Sequence, residues 1–205
     1  MLKVVSFDIG GTLLNTHNKS QFNSDLKSVL AKYGIKSHAA VECLRLKDFS
    51  IEEYCNYMGL NCVEEIRDLV KRNSAKHHLY DEVKEVLSDL KNDYKLVSIS
   101  NAVSIKKHNL SDYQIDHFFD LELYSYQFGE MKPNIKMFKY AEKFFDVSGN
   151  ACIHIGDTGN DIVGARRAGW NSILLCRDEN TLLNGNRPDY VIKNLRELRE
   201  ILAVI

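Results

Sequence analysis

The chain has 205 residues, 44% hydrophobic and 27% charged, with 27 Lys+Arg set against 28 Asp+Glu. A net charge of −1 gives no electrostatic ground for binding nucleic acid or an anionic membrane surface, and no apolar run approaches the roughly 18 residues of a membrane span. Five cysteines (Cys43, Cys55, Cys62, Cys152, Cys176) form no C-x-x-C pair, and the chain enters a strand without a basic-then-apolar leader, so a cytoplasmic protein with reduced thiols is expected.

Residues 2–14 read LKVVSFDIGGTLL. Val4, Val5 and Phe7 form a short apolar run, Asp8 interrupts it, and Gly10-Gly11 follow at once. This pattern predicts a buried strand whose C-terminal end holds something polar. Adjacent glycines permit a tight turn and bring N–H groups close to a bound group. Strand C-termini are also where open parallel sheets bind ligands. A buried aspartate capping a turn fits the same residues.

Beyond Leu14 the apolar period becomes helical. Phe22, Leu26, Val29, Leu30 and Tyr33 predict a helix that Gly34 stops, and Ser37 could start a second one carrying Val41 and Leu44. Ser50 with Glu53 has capping-box spacing before Tyr54, Cys55 and Met58, with Gly59 as the stop. Asn61 with Glu64 repeats the spacing before Ile66, Leu69 and Val70. Residues 16–79 are therefore expected to be an all-helical insertion.

From Asp81 strands and helices alternate. Helices are expected at Val83–Leu90, from Pro133 with Phe138, Ala141, Phe144 and Phe145 facing the core, over Asp161–Ala168, and after Asn194-Glu197. Strands are expected at Lys95–Ser100, Leu121–Tyr126, Ala151–Ile155, Ile173–Cys176 and Val191–Ile192. The alternation predicts an α/β fold: a Rossmann-like parallel sheet core with helices on both faces, formed by 1–15 and 80–205, plus the inserted helical cap domain of 16–79.

Four polar stretches fall at or just beyond strand ends: Asp8-x-Gly10-Gly11-Thr12, Ser100-Asn101, Lys132-Pro133 and Gly156-Asp157-x-x-x-Asp161. In a parallel sheet these ends meet along one edge. Carboxylates gathered there repel one another, and a hard cation resolves the conflict. Mg²⁺ suits a site of one or two carboxylates, a backbone oxygen, waters and substrate phosphate. Lys132 and Ser100 would then contact phosphate oxygens, with Gly11, Thr12 and Asn101 beside them. Taken singly, Ser100 could cap a turn, Lys132 could be a solvated charge, and Asp157 and Asp161 could cap a helix.

In this order the four stretches resemble the motifs of the haloacid dehalogenase superfamily, most of whose members are phosphatases. DIGGTL is similar to its first motif, D-x-D-G-T, and LVSISN to the second. FGEMKPNIKMFKYA resembles the third, and IGDTGNDIVGARRAGW the fourth. The helical block lies where that superfamily places its C1-type cap. The resemblance implies that Asp8 is the nucleophile forming an aspartyl-phosphate, and that Ser100 and Lys132 hold the phosphoryl group. It also implies that Asp8, the Gly10 carbonyl and Asp157 bind Mg²⁺, with Asp161 supporting the site directly or through water. A carboxylate is ionised at neutral pH and needs no base to attack, and positioning with charge neutralisation supplies most of the catalysis.

One position departs from the pattern. The superfamily's phosphatases carry a second aspartate two residues after the nucleophile, where this chain has Gly10. A backbone metal ligand survives the change, but the proton-transfer role does not, and general acid–base catalysis contributes about 10²–10⁴-fold. His17 or a residue of the helical insertion could substitute. His154, inside a strand, reads as a hydrogen-bonded core residue. The leading expectation is a Mg²⁺-dependent hydrolase of a small phosphorylated metabolite. The alternatives are a 2-haloacid dehalogenase-like hydrolase, disfavoured by the Asp157/Asp161 pair, and a binding or regulatory protein with impaired turnover.

Overall fold

The computed structural model describes residues 1–16, 19–106, 110–177 and 187–205. In chain order the elements are β1 (Val4–Phe7), β2 (Leu14–Asn15), α1 (Lys19–Lys32), α2 (Ala39–Leu46), α3 (Ile51–Met58), α4 (Val63–Ser74), β3 (His78–Leu79) and α5 (Val83–Leu90). There follow β4 (Lys95–Ser100), β5 (Leu121–Tyr124), α6 (Ser125–Phe128), α7 (Lys136–Phe145), β6 (Cys152–Gly156), α8 (Gly159–Ala168), β7 (Asn171–Leu175), β8 (Tyr190–Ile192) and α9 (Leu198–Leu202).

Six strands form one parallel sheet in the order β5-β4-β1-β6-β7-β8. All four residues of β1 are buried, as a strand covered on both faces requires. Val5 and Phe7 pack on one face with Val83, Leu87 and Leu198, while Val4 packs on the other with Phe138, Ala141 and Ala165. Strand order reverses at β1: β4 and β5 extend to one side, β6 to β8 to the other. The C-terminal ends of β4, β1 and β6 therefore meet at a switch point, the usual ligand position of such sheets.

Helices α1 to α4 build a separate apolar cluster around Phe22, Leu26, Leu44, Tyr54 and Ile66, joined by Val103 and Ile105 from beyond β4. The segment leaves and re-enters the core through the antiparallel pair β2 and β3, where Leu14 faces Leu79 and Asn15 faces His78. Two-residue strands carry no alternation to read, so this pair was not expected, and it puts two strand residues inside 16–79.

Other local expectations shift. The Ser50–Glu53 box forms, with Glu53 N–H donating to Ser50 Oγ at 3.1 Å and Ser50 N–H to Glu53 Oε2 at 2.7 Å. The Asn61–Glu64 box does not: Cys62 takes the N-cap of α4 without a side-chain bond, and the Asn61 carbonyl accepts from Tyr33 Oη. Helix α7 begins at Lys136 rather than Pro133, after a turn in which Asn134 Oδ1 accepts the Lys136 N–H. Its buried stripe is Met137, Phe138 and Ala141, with Phe145 packed against the same cluster; Phe144 lies outside the stripe, 55% exposed.

Candidate active site

The site starts from the turn after β1. Asp8 N–H donates to the Ile155 carbonyl of β6 at 2.8 Å, which fixes the residue at the sheet edge. The Ile9 carbonyl then accepts N–H groups from Thr12, Leu13 and Leu14, and Gly11 N–H donates to the Leu14 carbonyl at 2.7 Å. Gly11 sits at φ +83°, a left-handed conformation that favours glycine. This geometry bears on the expectation that Gly11 and Thr12 lie beside a bound phosphate. Their N–H groups are consumed by the turn, neither residue lines the cavity, and the Thr12 side chain is wholly buried. The Thr12 carbonyl is bonded from behind by Arg177 Nη2 at 2.9 Å, while Arg177 Nη1 pairs with Glu82 at 2.7 Å.

Ser100 ends β4 and lines the cavity. Asn101 also lines it, but its side-chain amide is committed to the backbone of Lys132: Nδ2 donates to the Lys132 carbonyl at 3.0 Å and Oδ1 accepts the Lys132 N–H at 2.8 Å. Thus Asn101 secures the lysine rather than presenting its amide to the cavity. Lys132 is 3% exposed, and its Nζ donates to Asp8 Oδ1 at 2.9 Å, Asp161 Oδ1 at 2.5 Å and the Ile99 carbonyl at 2.5 Å. Three acceptors match the three donors of an ammonium. Burial by itself depresses the pKa of this ammonium, but the carboxylates of Asp161 and Asp8 outweigh it and raise the pKa.

Asp161, in the first turn of α8, is fully enclosed. Its Oδ2 accepts from the N–H and the hydroxyl of Thr158, and its Oδ1 faces Lys132 and His154 Nε2, the latter at 3.2 Å. Burial opposes its charge, yet Lys132 and His154 hold its pKa below the ordinary carboxylate range. His154 Nδ1 lies 2.9 Å from Ser6 Oγ. Burial lowers the His154 pKa, with Asp161 pulling the other way. A neutral ring fits both contacts, Nε2–H donating to Asp161 and Nδ1 accepting the Ser6 hydroxyl. A Cβ at Gly156 would come 2.3 Å from Asp161 Cγ, so only glycine lets β6 pass this carboxylate.

Carboxylate oxygens of Asp8, Asp157 and Asp161 lie within 4.8 Å of one another. Three hard oxygen donors in that space suit a hard divalent cation. Because both Asp161 oxygens are already engaged, Asp8 and Asp157 are the members best able to hold it directly. A cavity of about 380 Å³ opens above, walled by Asp8, Gly10, Ser100 and Lys132 on the sheet side. The helical segment supplies Phe22, Asn23, Glu42 and Arg45 to the same cavity, and Lys106 follows from beyond β4. No motif marks Arg45 or Lys106 in the sequence. His17 lies outside the described residues.

The model of the haloacid dehalogenase-like hydrolases matches residues 5–175, a span that contains every motif described above. The chain belongs to this family. It is thus a hydrolase with phosphatases among its relatives. It is 25% identical over 213 residues to the pyrophosphatase PpaX of Bacillus mycoides, covering 100% of this chain and 98% of the relative. It is 28% identical to the glyceraldehyde 3-phosphate phosphatase of Methanothermobacter thermautotrophicus, covering 98% of this chain and all of the relative. The fold matches the crystal structure of a 2-haloacid dehalogenase from Pseudomonas syringae with a TM-score of 0.75 at 21% identity, over 100% of this chain and 99% of that one. Among the described residues no helix is long and apolar enough to cross a membrane.

Proposed function

We propose that this hydrolase is a Mg²⁺-dependent phosphatase of small phosphorylated metabolites that carries the phosphoryl group transiently on Asp8. The observation behind this reading is the Lys132 ammonium shared between Asp8 and Asp161 at the wall of a polar cavity. The relatives' names, a pyrophosphatase and a sugar-phosphate phosphatase, support phosphate as the transferred group.

In this reading an Asp8 carboxylate oxygen attacks phosphorus as the bond to the leaving oxygen breaks. The departing oxygen keeps the electron pair and takes up a proton. Water then attacks the aspartyl-phosphate, inorganic phosphate departs and the carboxylate is restored. The Ser100 hydroxyl binds a phosphoryl oxygen, while Lys132, its three donors spent on Asp8, Asp161 and the Ile99 carbonyl, keeps Asp8 aimed into the cavity and lends its positive charge to the phosphoryl group. Asp8, Asp157 and the Gly10 carbonyl are the groups to hold Mg²⁺, which when bound neutralises charge on the phosphate. Asp161 and His154 are positioning residues that act through Lys132. The segment 16–79 is read as the cap that closes the cavity, and five free thiols suit the cytoplasm.

Phosphate release from a panel of phosphorylated metabolites, measured with Mg²⁺ and with EDTA, tests the reading. Release that needs Mg²⁺ and vanishes in Asp8→Asn supports it. Metal-independent halide release from 2-haloacids would move the chain to the dehalogenases, and binding without turnover would make it a regulatory protein.

A further inference from the structure

The cavity has a second charged region that the chemistry at Asp8 does not use. It is made by Asn23 of α1, Glu42 and Arg45 of α2, and Lys106. Arg45 Nη2 donates to Asn23 Oδ1 at 3.2 Å, and its Nε lies 3.8 Å from Glu42 Oε1, too far for a hydrogen bond. Lys106 Nζ lies 3.2 Å from His77 Nε2 and 5.0 Å from the centre of the Phe22 ring. Among the described residues no carboxylate is within ion-pair distance of Lys106.

Two cations thus share one partly buried wall with a single carboxylate. Burial, and then the charge of Arg45, push the Lys106 ammonium down to about 8; burial also lowers Arg45, against the pull of Glu42. Keeping two like charges together out of water is unfavourable unless something negative completes the arrangement. Internal bracing alone does not account for the choice of residues. An apolar side chain over Phe22 would pack as well without the repulsion, and a carboxylate would pair with Arg45. An anion entering the cavity meets both cations, and a guanidinium fork suits carboxylate or phosphate oxygens.

We propose that Arg45 and Lys106 receive a second anionic group of the substrate, so that the preferred substrate is a small phosphorylated compound carrying a carboxylate or another phosphoryl group. The inference rests on the phosphatase reading and narrows it. One end of the cavity takes the phosphoryl group to be transferred, and the other reads the charge at the far end of the same molecule. A neutral alcohol on the leaving side leaves both cations unanswered, which penalises the wrong substrate as well as rewarding the right one.

The test compares kcat/KM for 2-phosphoglycolate and for pyrophosphate, each as a ratio to ethyl phosphate. The wild type is expected to favour at least one probe with two anionic groups, and Arg45→Gln to lower that ratio about tenfold or more, the size of one charge-assisted contact. Lys106→Met should shift it the same way, and Arg45→Lys should restore part of it. A fall with 2-phosphoglycolate assigns a carboxylate, and a fall with pyrophosphate a phosphoryl group. A wild type without preference, or ratios unchanged in both variants, overturns the proposal. Calorimetric titration of phosphonoacetate against methylphosphonate separates this inference from the reading beneath it. If no phosphate is released from any substrate, the phosphatase reading fails, yet tighter phosphonoacetate binding that Arg45→Gln removes still supports the anion site. Equal binding of the two phosphonates sinks it.

Discussion

Lys132 Nζ lies 2.5 Å from Asp161 Oδ1 and 2.9 Å from Asp8 Oδ1, with the lysine side chain 2% exposed. One ammonium therefore holds together carboxylates contributed by the loop after β1 and the first turn of α8. Behind it, Asp161 is fixed by Thr158 and by the Ser6–His154 pair that links β1 to β6. The position of the proposed nucleophile depends on a charge network rooted in the centre of the sheet.

Lys132→Met should lower stability by about 3–5 kcal/mol, the cost of leaving buried charges uncompensated, and should abolish turnover. Denaturant unfolding across pH checks the assignment. Asp161 is depressed, so its contribution is complete above the unfolded carboxylate pKa of about 3.9 and is lost as pH falls below it. Lys132 is raised, so its contribution is complete below about 10.4 and is lost as pH rises through the higher folded value. Both slopes describe one interaction, and Lys132→Met should weaken both.

Mg²⁺ should raise the melting temperature, because a ligand bound only by the native state stabilises it. Asp157→Asn should remove the rise. An unchanged melting temperature at saturating Mg²⁺, in wild type and variant alike, would leave the acidic cluster without a metal.

Gly10 divides the reaction. With no carboxylate at this position, departure should depend on the leaving group's own stability, so aryl phosphates should react faster than alkyl phosphates. Hydrolysis of the phosphoenzyme should then lag, giving a burst followed by a slow steady state in rapid-quench measurements. Gly10→Asp should speed that steady state by up to about 10²–10⁴-fold. Fast turnover of alkyl phosphates without a burst would show that another residue already moves the proton.

Substrate capture should weaken on the alkaline side. Lys106 loses its proton as pH rises through about 8, so kcat/KM for 2-phosphoglycolate should fall above that pH relative to ethyl phosphate. The groups facing Lys106 are Arg45 and Glu42 of α2 and His77 after α4. Arg45 keeps its charge there, and the inflection belongs to the lysine if removing its ammonium removes it. Lys106→Met should flatten the relative profile.

Features held by neighbouring residues could be read from the chain alone. The apolar run ending in Asp8 and paired glycines, the Ser50–Glu53 cap, and Gly156 leading to Asp161 each state a local backbone geometry through residue types a few positions apart. They were enough to place the strands of the parallel sheet and the helices between them. What escaped depended on partners brought together by the strand order around β1. Asn101 carries a motif's residue type, but its amide is paired with the backbone of Lys132, 31 residues away. Arg45 and Lys106 look like ordinary surface cations in sequence. They became a pair because α2 packs against the segment beyond β4, and burial changes the energy of a charge in a way that no local pattern records.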